Sequence, residues 1–408
     1  MKKNRKKIAY LGHGLYYGGA TTSLYLLIKS IDNNEYEKNL YITSCKSEQM
    51  KKDFLKHCEK IELIKMPHIY NDQAGGRTSL LSFYLKKLYK PKALVGLLKK
   101  EEIDILHVNS SVFPHVHKFI KKHSNIKIVT HVREMIPKYG FGIVQKYMIN
   151  QIMKYSDAII TISDNEAQNF IGHPNLHIIP NPFDFSKIDK IQSTFREDNQ
   201  IKNETVLVGM MGQFHKSKGH FDFLKALKII IDRKETKYPF LFVLLGIYPQ
   251  LPIWKRVVKR LVFRSNYRQE VLKYIKDNNI GEHVMMVPYS YEVFNILEAI
   301  DIIVRPSLAG DPWGRDIIES MACSKPIVAT GTSDFFIKDG LSGYLIPSGH
   351  PEKIAEKVID LINDSSLRND LGKQGYLKVR AMCDISEYGV KIAQIYKSLL
   401  NNKELLIT

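Results

Sequence analysis

The amino-acid sequence predicts an α/β protein made of two doubly wound, Rossmann-like domains that face each other across a cleft. At 408 residues, the chain is too long for a single ordinary core. Short apolar runs alternate with segments of helical period, which is typical of parallel sheets covered by helices on both faces. The alternation forms two series, and the polar stretch STFREDNQIKNE at residues 193–204 divides them.

The predicted elements follow one another in the order that such domains require. We place the strands of the first series at Ile8–Leu11, Leu40–Thr43, Ile61–Ile64, Ile105–Val108, Ile126–Val129 and Ala158–Ile162, and those of the second at Val206–Met211, Phe240–Leu245, Val284–Val287, Ile302–Val304 and Ile327–Ala329. Helical segments lie between them, and the tail from Pro351 to Leu400 is helical throughout. We therefore expect domains at residues 1–185 and 186–380, with residues 381–408 forming a C-terminal helix that packs back on the first domain.

Composition narrows the class of protein. A hydrophobic content of 44% with 25% charged residues is typical of a globular protein, and no apolar run approaches the length of a membrane span. The basic start MKKNRKK leads into a predicted strand without a cleavage-like site, which favours a cytoplasmic protein. The four cysteines show no CxxC pair and no metal-ligand spacing, so we expect isolated thiols and no metal site.

The net charge of +18 fits nucleic acid, an anionic membrane surface or a phosphate-rich ligand. No nucleic-acid motif organises the lysines, so we expect no nucleic-acid partner. Residues 253–264 (IWKRVVKRLVFR) place apolar and basic side chains on opposite helix faces, and residues 84–100 do so more weakly. Such helices lie on anionic bilayers. A helix packed on its own domain, with a solvated basic face, explains residues 253–264 equally well.

Ligands of doubly wound folds collect at the carboxyl ends of the strands, so residues that follow predicted strands are the candidates. Gly18 and Gly19 stand where a loop enters a helix, a place where the backbone approaches a ligand and the helix N-terminus favours phosphate. A structural turn is the alternative. His131 follows the strand Ile126–Val129 and is expected at the mouth of the cleft, with Arg133 and Glu134 beside it; here a structural histidine is the alternative.

Two loops of the second series carry charged candidates. Lys218 lies in a glycine-bracketed loop after the first strand and is a candidate phosphate contact. Asp311 and Glu319 stand eight positions apart in GDPWGRDIIES, after the strand Ile302–Val304. By itself, Asp-Pro is a good helix start with Asp311 as N-cap, and Glu319 then pairs with Arg315 one turn earlier.

Taken in order, these motifs resemble those of the retaining glycosyltransferases of family 4, which have the GT-B fold. The resemblance is carried by YYGGATTSL, THVRE, IIPNPFD, GQFHKSKG, AIDIIVRPSLAGDPWGRDIIESMACSKPIVATG and DGLSGYLIP, which span nearly the whole chain. It implies that Glu319 binds the ribose hydroxyls of a nucleotide, while Asp311 and His131 contact the donor sugar. Carboxylates are strong acceptors for paired sugar hydroxyls. It also implies that Lys218 and the turn at Gly18 and Gly19 face the donor diphosphate.

The chain departs from the family pattern at three positions. Asp311 replaces a glutamate, and Gln213 replaces an arginine that clamps the diphosphate, so a hydrogen-bond donor without charge stands there. We hypothesise that Arg315 supplies the missing charge; the alternative is an Arg315–Glu319 pair that only orients Glu319. Phe335 occupies the place of a further family glutamate, and no function is transferred to it.

The resemblance implies transfer of a sugar from a nucleotide diphosphate sugar to a carbohydrate or lipid-linked acceptor, with retention of the anomeric configuration. It favours a UDP- or GDP-linked donor over an ADP-linked one, and it implies no other cofactor. The basic segments favour a peripheral position on the inner face of the cell membrane, in surface polysaccharide or glycolipid synthesis. The alternatives are a non-catalytic nucleotide-sugar-binding partner in a polysaccharide assembly complex, or another GT-B enzyme such as a phosphorylase or epimerase.

Overall fold

A computed structural model describes residues 5–16, 18–69, 80–136, 142–189, 191–247, 267–288, 292–311 and 313–404. The chain divides into two compact units. The N-terminal unit comprises residues 1–183 together with 383–408, and the C-terminal unit comprises residues 184–382. The basic segment 253–264, which the sequence singled out as a candidate membrane helix, lies outside the described residues.

The N-terminal unit is built on a parallel sheet of seven strands in the order β3-β2-β1-β4-β5-β6-β7. The strands are β1 Lys6–Gly12, β2 Tyr36–Ile42, β3 Lys60–Leu63, β4 Ile105–Val108, β5 Lys127–Val132, β6 Ala158–Thr161 and β7 Leu176–Ile178. The order reverses between β1 and β4, and the crevice at such a switch point is where doubly wound folds bind ligands.

Helices cover both faces of this sheet. They are α1 Gly19–Ser30, α2 Glu48–Leu55, α3 Leu80–Lys87, α4 Lys92–Lys100, α5 Pro114–His123, α6 Ile143–Tyr155 and α7 Asp164–Ala167. The C-terminal part of the chain returns to this unit as a long helix over Ile385–Glu404, which packs against α1. Tyr388, Ile392 and Tyr396 of that helix are buried in the same core as Ile8 of β1.

The C-terminal unit repeats the plan with six parallel strands in the order β10-β9-β8-β11-β12-β13. They are β8 Val206–Met211, β9 Phe240–Ile247, β10 Val284–Pro288, β11 Ile302–Arg305, β12 Ile327–Thr330 and β13 Tyr344–Ile346. Its helices are α8 Phe195–Asp198, α9 His220–Arg233, α10 Tyr267–Asp277, α11 Val293–Ala299, α12 Arg315–Ala322, α13 Pro351–Asn363 and α14 Ser365–Cys383. The helix Ile385–Glu404 of the N-terminal unit is α15. Buried side chains of α9 and α13 form one core with this sheet.

Two parallel-sheet, Rossmann-like units confirm the predicted fold class. The sequence pattern did not predict strands β7 and β13, because each has only three residues. Strand β5 was predicted to end at Val129, and it continues to Val132. None of the described helices combines the length and the apolar character that crossing a membrane requires.

Candidate functional site

The loop after β11 is held by a buried arginine. Arg305 ends the strand, and its guanidinium reaches the carboxylates of two residues further along the chain. It donates from Nη2 to Asp311 Oδ2 at 2.8 Å and from Nε to the Asp311 carbonyl at 2.9 Å. A third bond runs from Nη1 to Asp316. The two carboxylates raise the pKa of Arg305 against the opposing effect of its burial, so the guanidinium stays charged.

Asp311 is therefore fixed from two sides. Arg305 holds one carboxylate oxygen, and the Ser307 hydroxyl donates to the other. The Asp311 side chain is 29% exposed, whereas the Arg305 side chain is only 7% exposed. A carboxylate oxygen has room for two hydrogen bonds, so Asp311 retains acceptor capacity on its open side. This arrangement presents Asp311 as a rigid hydrogen-bond acceptor at the carboxyl end of β11.

Helix α12 begins later than the Asp-Pro pair suggested. Its first residue is Arg315, and Gly314 is its N-cap, so the prediction of Asp311 as N-cap is wrong. The helix begins later because Arg305 donates hydrogen bonds to the Asp311 carbonyl and carboxylate, which hold Asp311 in the loop. A side chain at Gly314 would place its Cβ 2.5 Å from Asp316 Oδ1. The glycine therefore makes room for the Arg305–Asp316 pair beneath the helix start.

Arg315 and Glu319 form the pair that the simpler interpretation expected. Arg315 Nε donates to Glu319 Oε1 at 2.9 Å, and the two side chains are only 11% and 16% exposed. Arg315 is the first residue of α12, and Glu319 lies one turn further along the helix. Glu319 is thus oriented by Arg315, and Arg315 is placed beside a helix N-terminus.

The lysine loop is tied to the acidic loop within the C-terminal unit. Lys216–Lys218 forms a short 3-10 turn, and the carbonyl of Ser217 accepts from the backbone N–H of Leu308 at 2.9 Å. Gly219 has a φ of 78°, and a Cβ there would lie 1.7 Å from the Pro306 carbonyl oxygen. Only glycine allows this approach. The close contact joins the loop of Lys218 to the loop that leads from β11 to α12, and a ligand role for Lys218 remains a prediction.

Gln213, in the place of the family arginine, is exposed at the start of this loop. Lys218 is half-buried, with its side-chain carbons packed about Gly212. Its charge also contributes to the low pKa of His220, which burial depresses to about 4. The positive charge of the loop therefore comes from its lysines.

In the N-terminal unit, Gly18 and Gly19 stand at the start of α1. Gly18 is the N-cap, and its carbonyl accepts from the backbone N–H of Thr22 at 3.0 Å. Their position at a helix N-terminus after β1 is the one the sequence predicted, and a ligand role for them remains a prediction.

His131 lies within strand β5, whereas the sequence placed it after the end of that strand. Because β5 runs to Val132, His131 lies inside the strand and is 0% exposed. Its ring faces His107 at a centroid distance of 5.4 Å and stacks on Tyr388 at 6.5 Å. Burial, with the charge of Arg133 and then His107, holds the pKa of His131 well below its usual value. His131 is therefore an interior residue of this unit, and its contact with a donor sugar remains a prediction.

The neighbours of His131 form a polar network that the sequence did not reveal. Arg133 donates from Nε to Asn109 Oδ1 at 2.8 Å and also bonds Asn181 and His131. Glu134 accepts at Oε1 from the Ser110 hydroxyl and from the backbone N–H and hydroxyl of Ser111, at 2.6–2.8 Å. These groups follow β4 and β5, which puts a fixed carboxylate beside the switch point of the sheet.

The structure thus adds residues to the sequence-based candidates. Arg305 was missed, although an arginine that ends an apolar strand is itself a signal of a buried ion pair. Glu134 was named only as a neighbour of His131. Over the described ranges, no three His, Cys, Asp or Glu side chains converge into a metal site. The four cysteines are thiols outside any disulfide, and Cys58, Cys323 and Cys383 are buried.

Two parallel-sheet units with charged and glycine-rich loops at their strand ends define the GT-B class of protein. Comparison with known families narrows this class. The family model "Glycosyltransferase Family 4" matches residues 17–187, and "Glycosyl transferases group 1" matches residues 191–378. The chain belongs to the family 4 glycosyltransferases.

Individual relatives are distant. An uncharacterized glycosyltransferase of Methanocaldococcus jannaschii is 29% identical over 119 residues, which cover 28% of this chain and 34% of that protein. A poly(ribitol-phosphate) alpha-N-acetylglucosaminyltransferase of Staphylococcus aureus is 26% identical over 72% of this chain and 54% of its own length. The chain thus spans between a third and just over half of these two relatives.

A solved structure resembles the whole chain in fold. The crystal structure of Anabaena HepE in complex with UDP and glucose superposes with a TM-score of 0.75. The two sequences are 18% identical, and the match covers 97% of this chain and 100% of the Anabaena chain.

Proposed function

We propose that the protein is a retaining glycosyltransferase that moves a sugar from a nucleotide diphosphate sugar to an acceptor hydroxyl, in bacterial surface polysaccharide or glycolipid synthesis. The observation that carries the proposal is the joined pair of loops in the C-terminal unit, which gathers Lys218, Asp311 and the start of α12 at one sheet edge. Family membership supports it, as do the activity in the Staphylococcus relative's name and the UDP and glucose bound by HepE.

In this proposal, the donor lies along the joined loops. The N-terminus of α12 and the Lys218 ammonium stabilise the charge that develops on the leaving diphosphate. Glu319 accepts hydrogen bonds from the ribose hydroxyls, and Asp311 accepts one from the donor sugar. The donor is UDP- or GDP-linked. The acceptor oxygen bonds to the anomeric carbon on the face that the diphosphate leaves, and the departing phosphate oxygen takes the acceptor's proton.

Arg315 has two possible tasks in this site, and they predict different results. If Arg315 binds the diphosphate, Arg315→Ala weakens binding of UDP and UDP-sugar equally and leaves free uridine unchanged. If its contact at 2.9 Å serves only to orient Glu319, the substitution weakens uridine as well. We propose the diphosphate task, because Gln213 brings no charge to the opposite loop. Calorimetric titration with uridine and UDP distinguishes the two.

The N-terminal unit presents the acceptor, and an anionic membrane surface is proposed as its surroundings. Helix α3 and the turn after it expose Leu81, Leu85 and Leu88 at 71%, 65% and 74%, and lysines lie among them. Exposed leucines beside lysines are typical of a surface that binds anionic lipid. The double substitution Leu81→Glu/Leu85→Glu should release the protein from anionic vesicles, whereas Leu377→Glu, at a leucine of the C-terminal unit that is 50% exposed, should not.

Donor turnover tests the central proposal. Incubation with single UDP- and GDP-sugars should show slow release of the nucleotide diphosphate from one of them, because water substitutes for the absent acceptor. NMR of the released sugar, read before mutarotation, should show the anomer of the donor. Binding without turnover would favour the non-catalytic partner instead, and inversion of the anomer would contradict the retaining mechanism.

A further inference from the structure

We propose that a cavity in the N-terminal unit, lined by Thr43, Ser44, Met66, His68 and Lys86, binds a polyol or sugar that carries a phosphate or carboxylate group. The inference deepens the proposed function and rests on it, because it names the chemical class of the acceptor. The cavity has a volume of about 330 Å³. That is at the lower end of small-molecule sites and suits a ligand the size of a single phosphorylated polyol.

The cavity lies where the fold places ligands. Thr43 and Ser44 directly follow β2, and Met66 and His68 lie a few residues after β3. These are the carboxyl ends of two neighbouring parallel strands, where doubly wound sheets bind ligands. Another lining residue, Lys86, comes from α3, which Phe83 anchors in the core of the unit at 1% exposure.

The ring of His68, which lines this cavity, carries a hydrogen-bond acceptor. The Thr43 hydroxyl donates to the backbone carbonyl of His13 and therefore accepts from His68 Nε2, which lies 2.9 Å away. The proton of the neutral ring is then on Nε2, and the lone pair is on Nδ1. Burial, with the nearby His13 and Lys86, lowers the pKa of His68 to about 4, so the ring is neutral at physiological pH. A neutral Nδ1 accepts a hydrogen bond from a ligand hydroxyl.

Lys86 supplies a positive charge at the same cavity. In the described part of the chain, no carboxylate forms an ion pair with it, and it is half-buried. A partly desolvated ammonium without a counter-ion favours an anionic ligand. Together, the Lys86 ammonium and the neutral His68 ring favour a ligand that carries a hydroxyl close to an anionic group. A neutral polyol leaves Lys86 unpaired, and a simple anion leaves His68 without a donor.

Binding of three small probes to the full-length protein tests this assignment. Glycerol 3-phosphate carries both groups, ethyl phosphate lacks the hydroxyls, and glycerol lacks the charge. In calorimetric or NMR titrations, glycerol 3-phosphate should bind on the order of tenfold more tightly than either of the other two. No measurable binding of glycerol 3-phosphate, or equal binding of glycerol, would overturn the proposal.

Variants assign the two contacts separately. Lys86→Met should abolish phosphate binding, while Lys90→Met, at an exposed lysine just beyond the same helix, should leave it unchanged. His68→Phe should keep binding of ethyl phosphate and remove the preference for glycerol 3-phosphate. Equal losses in Lys86→Met and Lys90→Met would reduce the effect to general surface charge and overturn the assignment.

The same titrations separate this proposal from the glycosyltransferase proposal. UDP affinity should be unchanged in Lys86→Met, because the nucleotide is assigned to the other unit. A protein that binds glycerol 3-phosphate through Lys86 but no nucleotide sugar would contradict the proposed function and leave this site standing. Competition by vesicles of phosphatidylglycerol would identify a lipid headgroup as the source of the ligand, and its absence a soluble one.

Discussion

The two units share the order of their first six strands, to which the N-terminal unit adds a seventh, but they fix the carboxyl ends of their sheets with different chemistry. In the N-terminal unit, buried histidines and aromatic rings fill the interior near these ends, and the charged Arg133 and Glu134 are bonded by neutral side chains. In the C-terminal unit, Arg305 with Asp311 and Asp316, and Arg315 with Glu319, form ion pairs at the corresponding edge. The comparison shows that one fold does not fix the electrostatics at the ligand-binding edge of its sheet. Here the ion-paired edge belongs to the unit for which we propose diphosphate binding.

The histidines show the contrast most clearly. Burial lowers the pKa of His115 to about 3 and those of His68 and His117 to about 4, all in the N-terminal unit. Burial also lowers the pKa of His107 and of His131, in the same unit, well below the usual value. The described part of the C-terminal unit has one comparable group, His220, at about 4. Acid should therefore affect the two units unequally.

The largest expected effect is loss of the N-terminal unit's stability in mild acid. A histidine whose pKa falls from 6.5 to about 4 on folding binds its proton more readily in the unfolded chain, so stability drops as the pH falls from 6.5 towards 4. Each such histidine lowers the free energy of unfolding by up to about 2 kcal/mol at pH 5, and the effects of several histidines add. Hydrogen exchange at pH 8 and pH 5, resolved by unit, measures this. An equal or greater loss of protection in the C-terminal unit would contradict the proposed difference between the units.

The second effect concerns Arg305. Removing the guanidinium leaves Asp311 and Asp316 without their partner, one of them only 19% exposed, and we expect Arg305→Met to cost about 3–5 kcal/mol of unfolding free energy in the C-terminal unit. The matched control is Lys273→Met, which breaks an exposed Lys273–Asp277 pair and should cost under about 1 kcal/mol. Urea unfolding compares them. Similar costs would mean that the buried network does not hold the loop.

A smaller effect is expected at Lys218. Lys218→Met removes a charge-assisted contact to the diphosphate. It should weaken the affinity for UDP on the order of tenfold and leave the affinity for uridine unchanged. Lys216→Met, two positions earlier in the same 3-10 turn, is the control and should alter neither affinity. Equal weakening by both substitutions would show that the loop attracts nucleotide only through its overall charge.

The smallest effect is a gain. Gln213 is exposed at the start of the lysine loop, so Gln213→Arg should fold normally and restore the charge that family members have there. We expect UDP affinity to rise about threefold, since an exposed charge contributes only a fraction of a kcal/mol to 1 kcal/mol. A change of the same size in uridine affinity would place Gln213 away from the diphosphate.

Sequence reasoning succeeded where a single local rule decides the outcome. The alternation of apolar runs and helical segments gave both sheets, and glycines after β1 and β8 marked the starts of α1 and α9. It failed where tertiary partners decide. His131 was misplaced because three further residues joined β5, and Arg305 was missed because its partners, 6 and 11 positions away, meet only once the loop folds back. The same hydrogen bonds from Arg305 to Asp311 keep Asp311 out of α12, which therefore begins later than predicted.

Nucleotide-sugar binding to the full-length protein tests the central claim most directly. Titration with UDP-, GDP- and ADP-linked sugars should find at least one UDP- or GDP-sugar that binds, with its affinity reduced in Lys218→Met and in Glu319→Gln. A matched change at Glu298, on α11, should have no effect. The account would be contradicted if no nucleotide sugar bound, or if the wild type and both loop variants bound one equally.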